Sequence, residues 1–248
     1  MWLALILLIA FAVLDKTKIL QYNTLFMSVL YVVGIPLLIC GYIGSMISGL
    51  LNLLADFGLL RCLSLAFNIM IALPIIIVLI MALIKLCRFP IDRSRFNGTD
   101  EDYTVACAQR QRLLMWICFP ILWVSALMAL ALGIYTVTLA AGSMLLMANP
   151  AFWLCCLITF GILLVCYVII VAGVIGVPLF LCVGFCALAG IYMIIMIAMT
   201  VTVLYRIRSV SGYSKLKNTA MVISMLIPVW SLVSMIELSM KLRDISGR

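Results

Sequence analysis

The sequence contains no histidine, and only 10% of its 248 residues carry a charge. The absence of histidine excludes Ser-His-Asp triads, metal sites built from imidazole ligands, and imidazole acid–base catalysis. The glycine-rich loop that cradles phosphates and the Cys-x-x-Cys pairs typical of zinc sites are missing as well. We therefore expect no enzymatic activity, no cofactor and no bound metal.

The ten cysteines do not form the pattern of a disulfide framework. Most lie inside apolar runs, where cysteine behaves as a small hydrophobic residue, so we expect reduced thiols. Two pairs, Cys155-Cys156 and Cys182 with Cys186, could bind a soft metal such as Cu(I) with the help of the abundant methionine. Chance placement in an apolar, methionine-rich chain explains these pairs better.

What the chain does contain is apolar sequence, with 68% hydrophobic residues and a mean hydropathy of +1.37. A soluble domain is about 45–50% apolar and about 25% charged, and it could not cover this much apolar surface. A helix needs about 20 apolar residues to cross a bilayer. Uncharged runs of that kind extend over residues 19–55, 62–84, 113–205 and 218–236. We predict an all-α, polytopic integral membrane protein and not a β-barrel, which would show short alternating strands.

A polar stretch, residues 85–112, divides the chain into an N-terminal membrane part over 1–84, of about three helices, and a C-terminal membrane part over 113–248. Because lysine and arginine accumulate in short cytoplasmic loops, its basic residues predict a cytoplasmic loop of a plasma-membrane protein. The net charge of +8 then reflects topology and contact with anionic lipid headgroups, and we expect no binding to nucleic acid.

Local signals divide the polar stretch further. Phe89-Pro90 predicts the end of a helix, and Asn97-Gly98 predicts a turn. Thr99 to Asp102 resembles a capping box with acidic residues in the first helical turn. We expect a helix to begin there and to run past Arg112 into the bilayer.

Basic clusters flank the uncharged run over residues 113–205. If both clusters face the cytoplasm, the number of crossings between them is even, and length favours four over two. Expected divisions lie at Gly133, Asn149-Pro150 and 176–178, although residues 134–148 could equally form a re-entrant hairpin. The whole chain is then predicted to have about seven transmembrane helices, with a range of roughly six to eight.

Glycine and proline inside the apolar runs predict broken helices, which line pathways in many transporters. Val33–Cys40 resembles Ile175–Cys182, and the two would run in opposite directions as an inverted repeat. Chance similarity in so apolar a chain is the stronger explanation. The candidate helix-break and pathway residues are Gly34, Pro36, Gly176, Pro178 and Pro228.

Two carboxylates lie close to the apolar runs. Asp56 falls within residues 45–61, which we interpret as an amphipathic segment at the membrane interface, with Arg61 nearby. Glu237 precedes Lys241 by four residues, the favourable order for an ion pair at a helix end. Either carboxylate could instead mark an ion path, but the solvated or paired state is favoured. The N-terminal run 1–14 lacks a basic n-region, which favours an uncleaved first helix over a signal peptide.

These observations predict a membrane-embedded, non-catalytic subunit of a multiprotein transport or export complex whose energy comes from another polypeptide. The expected partners are the lipid bilayer and other membrane or cytoplasmic subunits. A scaffold or assembly subunit of a larger membrane complex is one alternative, and a self-sufficient carrier with inverted repeats is another. A mixed-charge surface suits partner docking, and its candidate residues are Arg88, Arg93, Arg95, Asp100, Glu101 and Asp102.

Overall fold

The computed structural model describes residues 2–17, 24–55, 58–159, 161–211, 222–223 and 228–246. These residues are almost entirely helical and contain no β-strand, which confirms the predicted all-α class over that part of the chain. The main helices are α1 (Trp2–Lys16), α2 (Leu25–Ala55), α3 (Leu59–Arg88), α4 (Asp100–Ala148), α5 (Pro150–Ile158), α6 (Ile162–Ser211) and α7 (Pro228–Ser246). A single 3-10 turn, Arg93–Arg95, lies between α3 and α4.

Four of these helices, α2, α3, α4 and α6, are long and apolar enough to cross a membrane. The predicted count of seven spans is not confirmed. The difference lies in residues 113–205, where α4 continues unbroken through Gly133 and α6 continues unbroken through Gly176. A single glycine inside a helix costs only about 1 kcal/mol relative to alanine, so it does not by itself end the helix. The break expected at Asn149-Pro150 is confirmed, because α5 begins there.

The prediction of helices broken at Gly34-Pro36 and Gly176-Pro178 is wrong. Pro36 lies inside the continuous helix α2, and Pro178 lies inside the continuous helix α6. Proline removes one backbone donor and crowds the preceding turn, which loosens a helix without necessarily ending it. Next to Pro36, the carbonyl of Val33 accepts a hydrogen bond of 3.2 Å from the hydroxyl of Tyr192 in α6. A neighbouring helix thus supports the loosened turn.

The segment predicted to lie at the interface, residues 45–61, is not a separate element. Its first part forms the last turns of α2, which extends without interruption to Ala55. The chain resumes at Gly58, whose extended backbone precedes the first turn of α3. The sequence there is rich in leucine, and its one glycine, Gly49, costs only about 1 kcal/mol relative to alanine, which explains why α2 continues so far.

Residues 1–122 and 190–248 form one compact unit, which we call unit 1. In it, α1 contacts both α2 and α3, and it buries Leu5 and Leu8. The ring of Phe11 packs edge-on against Tyr31 of α2 with centroids 5.4 Å apart, and the Tyr31 hydroxyl donates to the carboxylate of Asp15. The core of unit 1 is therefore built from contacts between helices that are themselves apolar.

Residues 123–189 form the second compact unit, unit 2, which is a helical hairpin of α4, α5 and α6. Asn149 accepts a 3.0 Å hydrogen bond from the amide of Ala151 and so caps α5, whose first residue is Pro150. Across the hairpin, the hydroxyl of Tyr167 donates to the carbonyl of Ser143 at 2.7 Å. These contacts close the turn between α4 and α6.

Large apolar side chains cover the outer surface of both units. Leu60, Met70 and Leu157 are 82%, 76% and 77% exposed. In the most apolar 18-residue stretch of α6 no residue is buried. Contiguous apolar surface of this extent is not stable against water, so the exposure is what a helical protein shows when lipid, not water, is its surrounding solvent.

Candidate functional site

The connection between α3 and α4, residues 89–99, contains three charged residues, Asp92, Arg93 and Arg95, and we call it the charged loop. It is shorter than the predicted stretch 85–112, because α3 extends to Arg88 and α4 begins at Asp100. The helix α3 ends where predicted, at Phe89-Pro90, since proline disfavours a helical conformation in the residue before it. The amide of Phe89 still donates to the carbonyl of Lys85 at 2.7 Å.

The predicted capping box at the start of α4 is confirmed. The amide of Asp102 donates to the Thr99 hydroxyl oxygen at 3.2 Å. In return, the amide and hydroxyl of Thr99 both donate to the Asp102 carboxylate, at 3.1 and 2.7 Å. These hydrogen bonds hold the pKa of Asp102 below its ordinary value, because they stabilise the ionised form. The first turn of α4 is therefore fixed by its own sequence.

Arg93 and Tyr103 hold the charged loop against the first turns of α4. The guanidinium of Arg93 lies 2.5 Å from the Asp100 carboxylate and 5.1 Å from the centre of the Tyr103 ring. The hydroxyl of Tyr103 donates to the carbonyl of Ile91 at 2.7 Å, and its ring meets Phe96 edge-on at 5.5 Å. Burial raises the pKa of Tyr103 to about 12, so the phenol stays protonated and remains a donor at neutral pH.

The carboxyl end of α3 is held by side chains from two other helices. The last carbonyls of a helix lack helical donors and carry partial negative charge. Gln111 of α4, which is fully buried, donates to the carbonyl of Cys87, and Arg206 of α6 donates to the carbonyl of Arg88. Two guanidinium groups lie close to the Phe89 ring, that of Arg88 at 5.3 Å and that of Arg206 at 5.8 Å from the ring centre. One amide and one cation thus stabilise this helix end.

Further hydrogen bonds join α4 to α2 and to α7, and they come from α4 residues on either side of Gln111. Arg110 donates to the hydroxyl of Ser28 in α2 at 3.4 Å. Arg112 donates to the carbonyl of Ser239 in α7 at 3.4 Å, and the indole of Trp116 donates to the Ser239 hydroxyl at 3.2 Å. Arg110 and Arg112 therefore join helices, in addition to any role in setting the orientation of the chain in the membrane.

The structure brings only some of the predicted docking residues together. Arg93 and Asp100 form the ion pair, with side chains 46% and 92% exposed. Asp102 serves the capping box, and Glu101 is exposed in the first turn of α4. Arg95 lies in the 3-10 turn, and its side chain is outside the described part of the structure.

Sequence reasoning did not find the residues that anchor the loop. Tyr103, Gln111 and Arg206 contact groups 12, 24 and 118 residues away in sequence. No local spacing signals such pairs, because they depend on which helices become neighbours. The chain bends at Gly98, as the Asn97-Gly98 pair predicts. A Cβ atom at Gly98 would lie 2.8 Å from the ring of Phe96, so the position favours glycine.

Two cavities lie next to these helix ends, and neither was predicted. The smaller, of about 420 Å³, lies beside the Arg93–Asp100 ion pair and is also lined by Lys85 and Tyr103. The larger, of about 650 Å³, is a groove between α2, α3 and α6. We call the larger one the apolar groove. Most of its lining is isoleucine, leucine and alanine, and Arg88 is the one charged residue among the side chains that line it.

The other predicted residues are not part of the charged loop. Pro36 lines the apolar groove, whereas Gly176 and Pro178 belong to unit 2. Asp56 is outside the described residues. Glu237 is half-buried in α7, and its ion pair with Lys241 stays a prediction, since the Lys241 side chain is outside the described part.

All ten cysteines are free thiols, and Cys155, Cys166 and Cys186 are exposed on the helix surface. Over the residues that the structure describes, no group of three or more cysteine, aspartate or glutamate side chains is arranged to hold a metal ion. Comparison with known proteins gives no match: no family model fits the sequence, and neither a curated protein nor a solved structure resembles the chain.

Proposed function

We propose that this protein is a multi-pass, non-catalytic membrane subunit of a transport or export complex, and that the charged loop is where a cytoplasmic partner subunit docks. The proposal includes residence in the plasma membrane with the charged loop on the cytoplasmic side. The excess of basic residues around that loop supports this orientation.

The connection between the charged loop and three helix ends is the observation that carries the proposal. The loop is attached to α4 through Arg93 and Tyr103, and the end of α3 is attached to α4 and α6 through Gln111 and Arg206. A partner that displaces the loop would therefore displace helices that can cross the membrane. This is the arrangement required when another polypeptide supplies the energy.

The surface chemistry of the loop suits a reversible protein contact. Arg93 is half-exposed and Asp100 is almost fully exposed, so both signs of charge are available to a partner within a few residues. Mixed charge on a surface gives specificity and speeds association more than it adds affinity.

The length of α4 and α6 supports membership of a larger complex. Residues 113–148 carry no charge and would extend about 54 Å as a helix. To keep that length within about 30 Å of hydrocarbon, the helix would have to tilt by about 55°, outside the roughly 0–40° seen in membrane proteins. Apolar faces of other subunits would provide the missing cover. Seven complete crossings would require α4 and α6 to be divided, so we propose four crossings with α1 and α7 packed beside them.

The same excess of apolar helix favours the scaffold as a second candidate function. A scaffold would depend on the helix faces of unit 2 and would tolerate changes in the charged loop. A self-sufficient carrier with inverted repeats gains less support, because α2 and α6 continue through the positions where such carriers have unwound helices.

The deciding experiment is purification of the tagged full chain from its native membrane in mild detergent. We expect a nucleotide-hydrolysing subunit to co-purify in fixed stoichiometry, and Arg93→Glu to reduce its recovery by about tenfold through like-charge repulsion and loss of the Asp100 pair. The matched control is Arg61→Glu, which makes the same change at the opposite end of α3, about 40 Å from Arg88. Equal recovery with both variants would contradict the docking role, and solute flux by the purified chain alone would favour the carrier.

A further inference from the structure

The apolar groove has one polar end. Its walls are formed by Ile39 of α2, Ile80, Leu83 and Ile84 of α3, and Ile191, Ile194, Ile195 and Ala198 of α6. The polar residues of the lining are Arg88, the last residue of α3, and Thr202 and Tyr205 in the last three turns of α6. The apolar part therefore extends along the helices and the polar part is found at their ends. A ligand that fills the groove must be apolar over most of its length and polar at one end.

We propose that the apolar groove binds one acyl chain of an anionic phospholipid from the surrounding bilayer, with the lipid phosphate at Arg88. The volume of about 650 Å³ is within the roughly 300–1,000 Å³ of typical ligand sites. Basic pockets between membrane helices are known to hold anionic headgroups. The source of the ligand is the membrane itself, since the groove lies between three helices that are each long enough to cross it.

Charge complementarity selects an anionic headgroup. Arg88 is exposed, and its guanidinium lies 5.3 Å from the centre of the Phe89 ring. A guanidinium group can donate two parallel hydrogen bonds to a phosphate. The carboxyl end of α3 would by itself repel an anion. Arg206 donates to the Arg88 carbonyl and so offsets that partial negative charge with a second cation. Tyr205 adds a hydroxyl donor at the same end of the lining, and the Thr202 hydroxyl, which donates to the Ala198 carbonyl at 2.7 Å, can only accept there.

This inference does not depend on partner docking at the charged loop. The groove involves α2, α3 and α6, and its occupancy can be measured on the isolated chain. A bound lipid would lie between α3 and α6, next to the hydrogen bond from Arg206 to the Arg88 carbonyl. The apolar groove and the charged loop therefore both adjoin the carboxyl end of α3. Loss of lipid binding with intact partner recovery, or the reverse, would separate the two proposals.

The test is native mass spectrometry of the purified, delipidated full chain titrated with phosphatidylglycerol or with phosphatidylcholine of the same acyl chains. We expect one high-affinity phosphatidylglycerol per chain, bound about fivefold more tightly than phosphatidylcholine. Arg88→Gln should abolish that preference, because it weakens phosphatidylglycerol binding more than binding of phosphatidylcholine, whose choline balances the phosphate charge, whereas Arg88→Lys should keep most of it. Ala198→Phe, which fills the groove, should remove the high-affinity site for both lipids.

Two matched controls define the outcomes that would overturn the proposal. Arg61→Gln makes the same charge change at the other end of α3. Ala126→Phe adds the same ring to a separate apolar cavity of unit 2 and should leave the high-affinity site intact. Equal binding of the two lipids by the wild-type chain would overturn the anionic specificity. Unchanged binding in Ala198→Phe, or equal loss in Arg61→Gln and Arg88→Gln, would overturn the location. Thermal unfolding of each variant in the same detergent identifies a variant that loses binding because it is misfolded. If Ala198→Phe is such a variant, the comparison of Arg88→Lys with Arg88→Gln decides whether the lipid binds at Arg88.

Discussion

Arg206 of α6 donates a hydrogen bond to the backbone carbonyl of Arg88, the last residue of α3, across a separation of 118 residues in the sequence. The same guanidinium lies 5.8 Å from the centre of the Phe89 ring, where the charged loop begins. Because the buried side chain of Gln111 holds the preceding carbonyl, three helices meet at one helix end.

Replacement of Arg206 by methionine should destabilise the protein by about 1 kcal/mol, because a charged hydrogen bond and a cation–π contact are lost while the apolar stem is retained. Thermal unfolding in detergent measures the effect. Arg208→Met is the matched control, since Arg208 is exposed in the same helix, and it should change stability by less than about 0.5 kcal/mol. Equal effects of the two substitutions would show that Arg206 does not anchor α3.

Replacement of Thr99 by alanine should release the first turn of α4. The hydroxyl of Thr99 both accepts from the Asp102 amide and donates to the Asp102 carboxylate, and loss of such a cap costs about 1 kcal/mol. Amide hydrogen exchange over residues 100–104 should accelerate about fivefold. Ser94→Ala, an equally small change in the exposed 3-10 turn, should leave exchange in α4 unaltered.

Acid should weaken the same helix start through Asp102. Hydrogen bonds from Thr99 hold the pKa of this carboxyl below its ordinary value of 3.8. Because the folded pKa lies below the unfolded one, the stabilisation is fully present above pH 3.8 and is lost as the pH falls through the folded value. The free energy of unfolding of the wild-type chain should therefore decline more steeply over that window than that of Asp102→Asn. Parallel pH profiles would be the contrary result.

Tyr103→Phe should loosen the charged loop and leave α4 intact. The substitution removes the hydroxyl that donates to Ile91 but keeps the ring beside Arg93 and Phe96. Loss of one such hydrogen bond costs about 1 kcal/mol, so amide exchange over residues 89–99 should be about fivefold faster. Tyr205→Phe removes a hydroxyl from a tyrosine that is 75% exposed and serves as the control, with no expected change in the loop.

The sequence is sufficient for features that depend on local chemistry. The end of α3 at Phe89-Pro90, the capping box of Thr99 and Asp102 and the break at Asn149-Pro150 all follow from residues within a few positions of each other. Inside the apolar runs, by contrast, proline does not by itself end a helix. Pro36 and Pro178 lie in continuous helices, and for Pro36 a neighbouring helix supports the loosened turn through Tyr192.

The features that could not be predicted from the sequence depend on packing between segments that are distant along the chain. The apolar groove exists because Ile39, Leu83 and Ile195 come from three helices that become neighbours only in the folded chain. Each of these residues is one of many similar apolar residues in its own helix. The anchoring role of Gln111 is hidden for the same reason, since its acceptor is a backbone carbonyl and backbone carbonyls occur at every position.

Reactivity of the exposed cysteines tests the central claim, that lipid or membrane protein covers the apolar surface of this chain. Opened native membranes would be treated with a charged, membrane-impermeant maleimide, and each thiol would be quantified by peptide mass spectrometry. Cys166 and Cys186, which are exposed on α6, should stay unlabelled until detergent unfolds the chain, while a cysteine introduced by Asn97→Cys in the charged loop should react within minutes. Labelling of Cys166 and Cys186 as fast as the loop cysteine would show that water reaches these helix faces and would contradict the account.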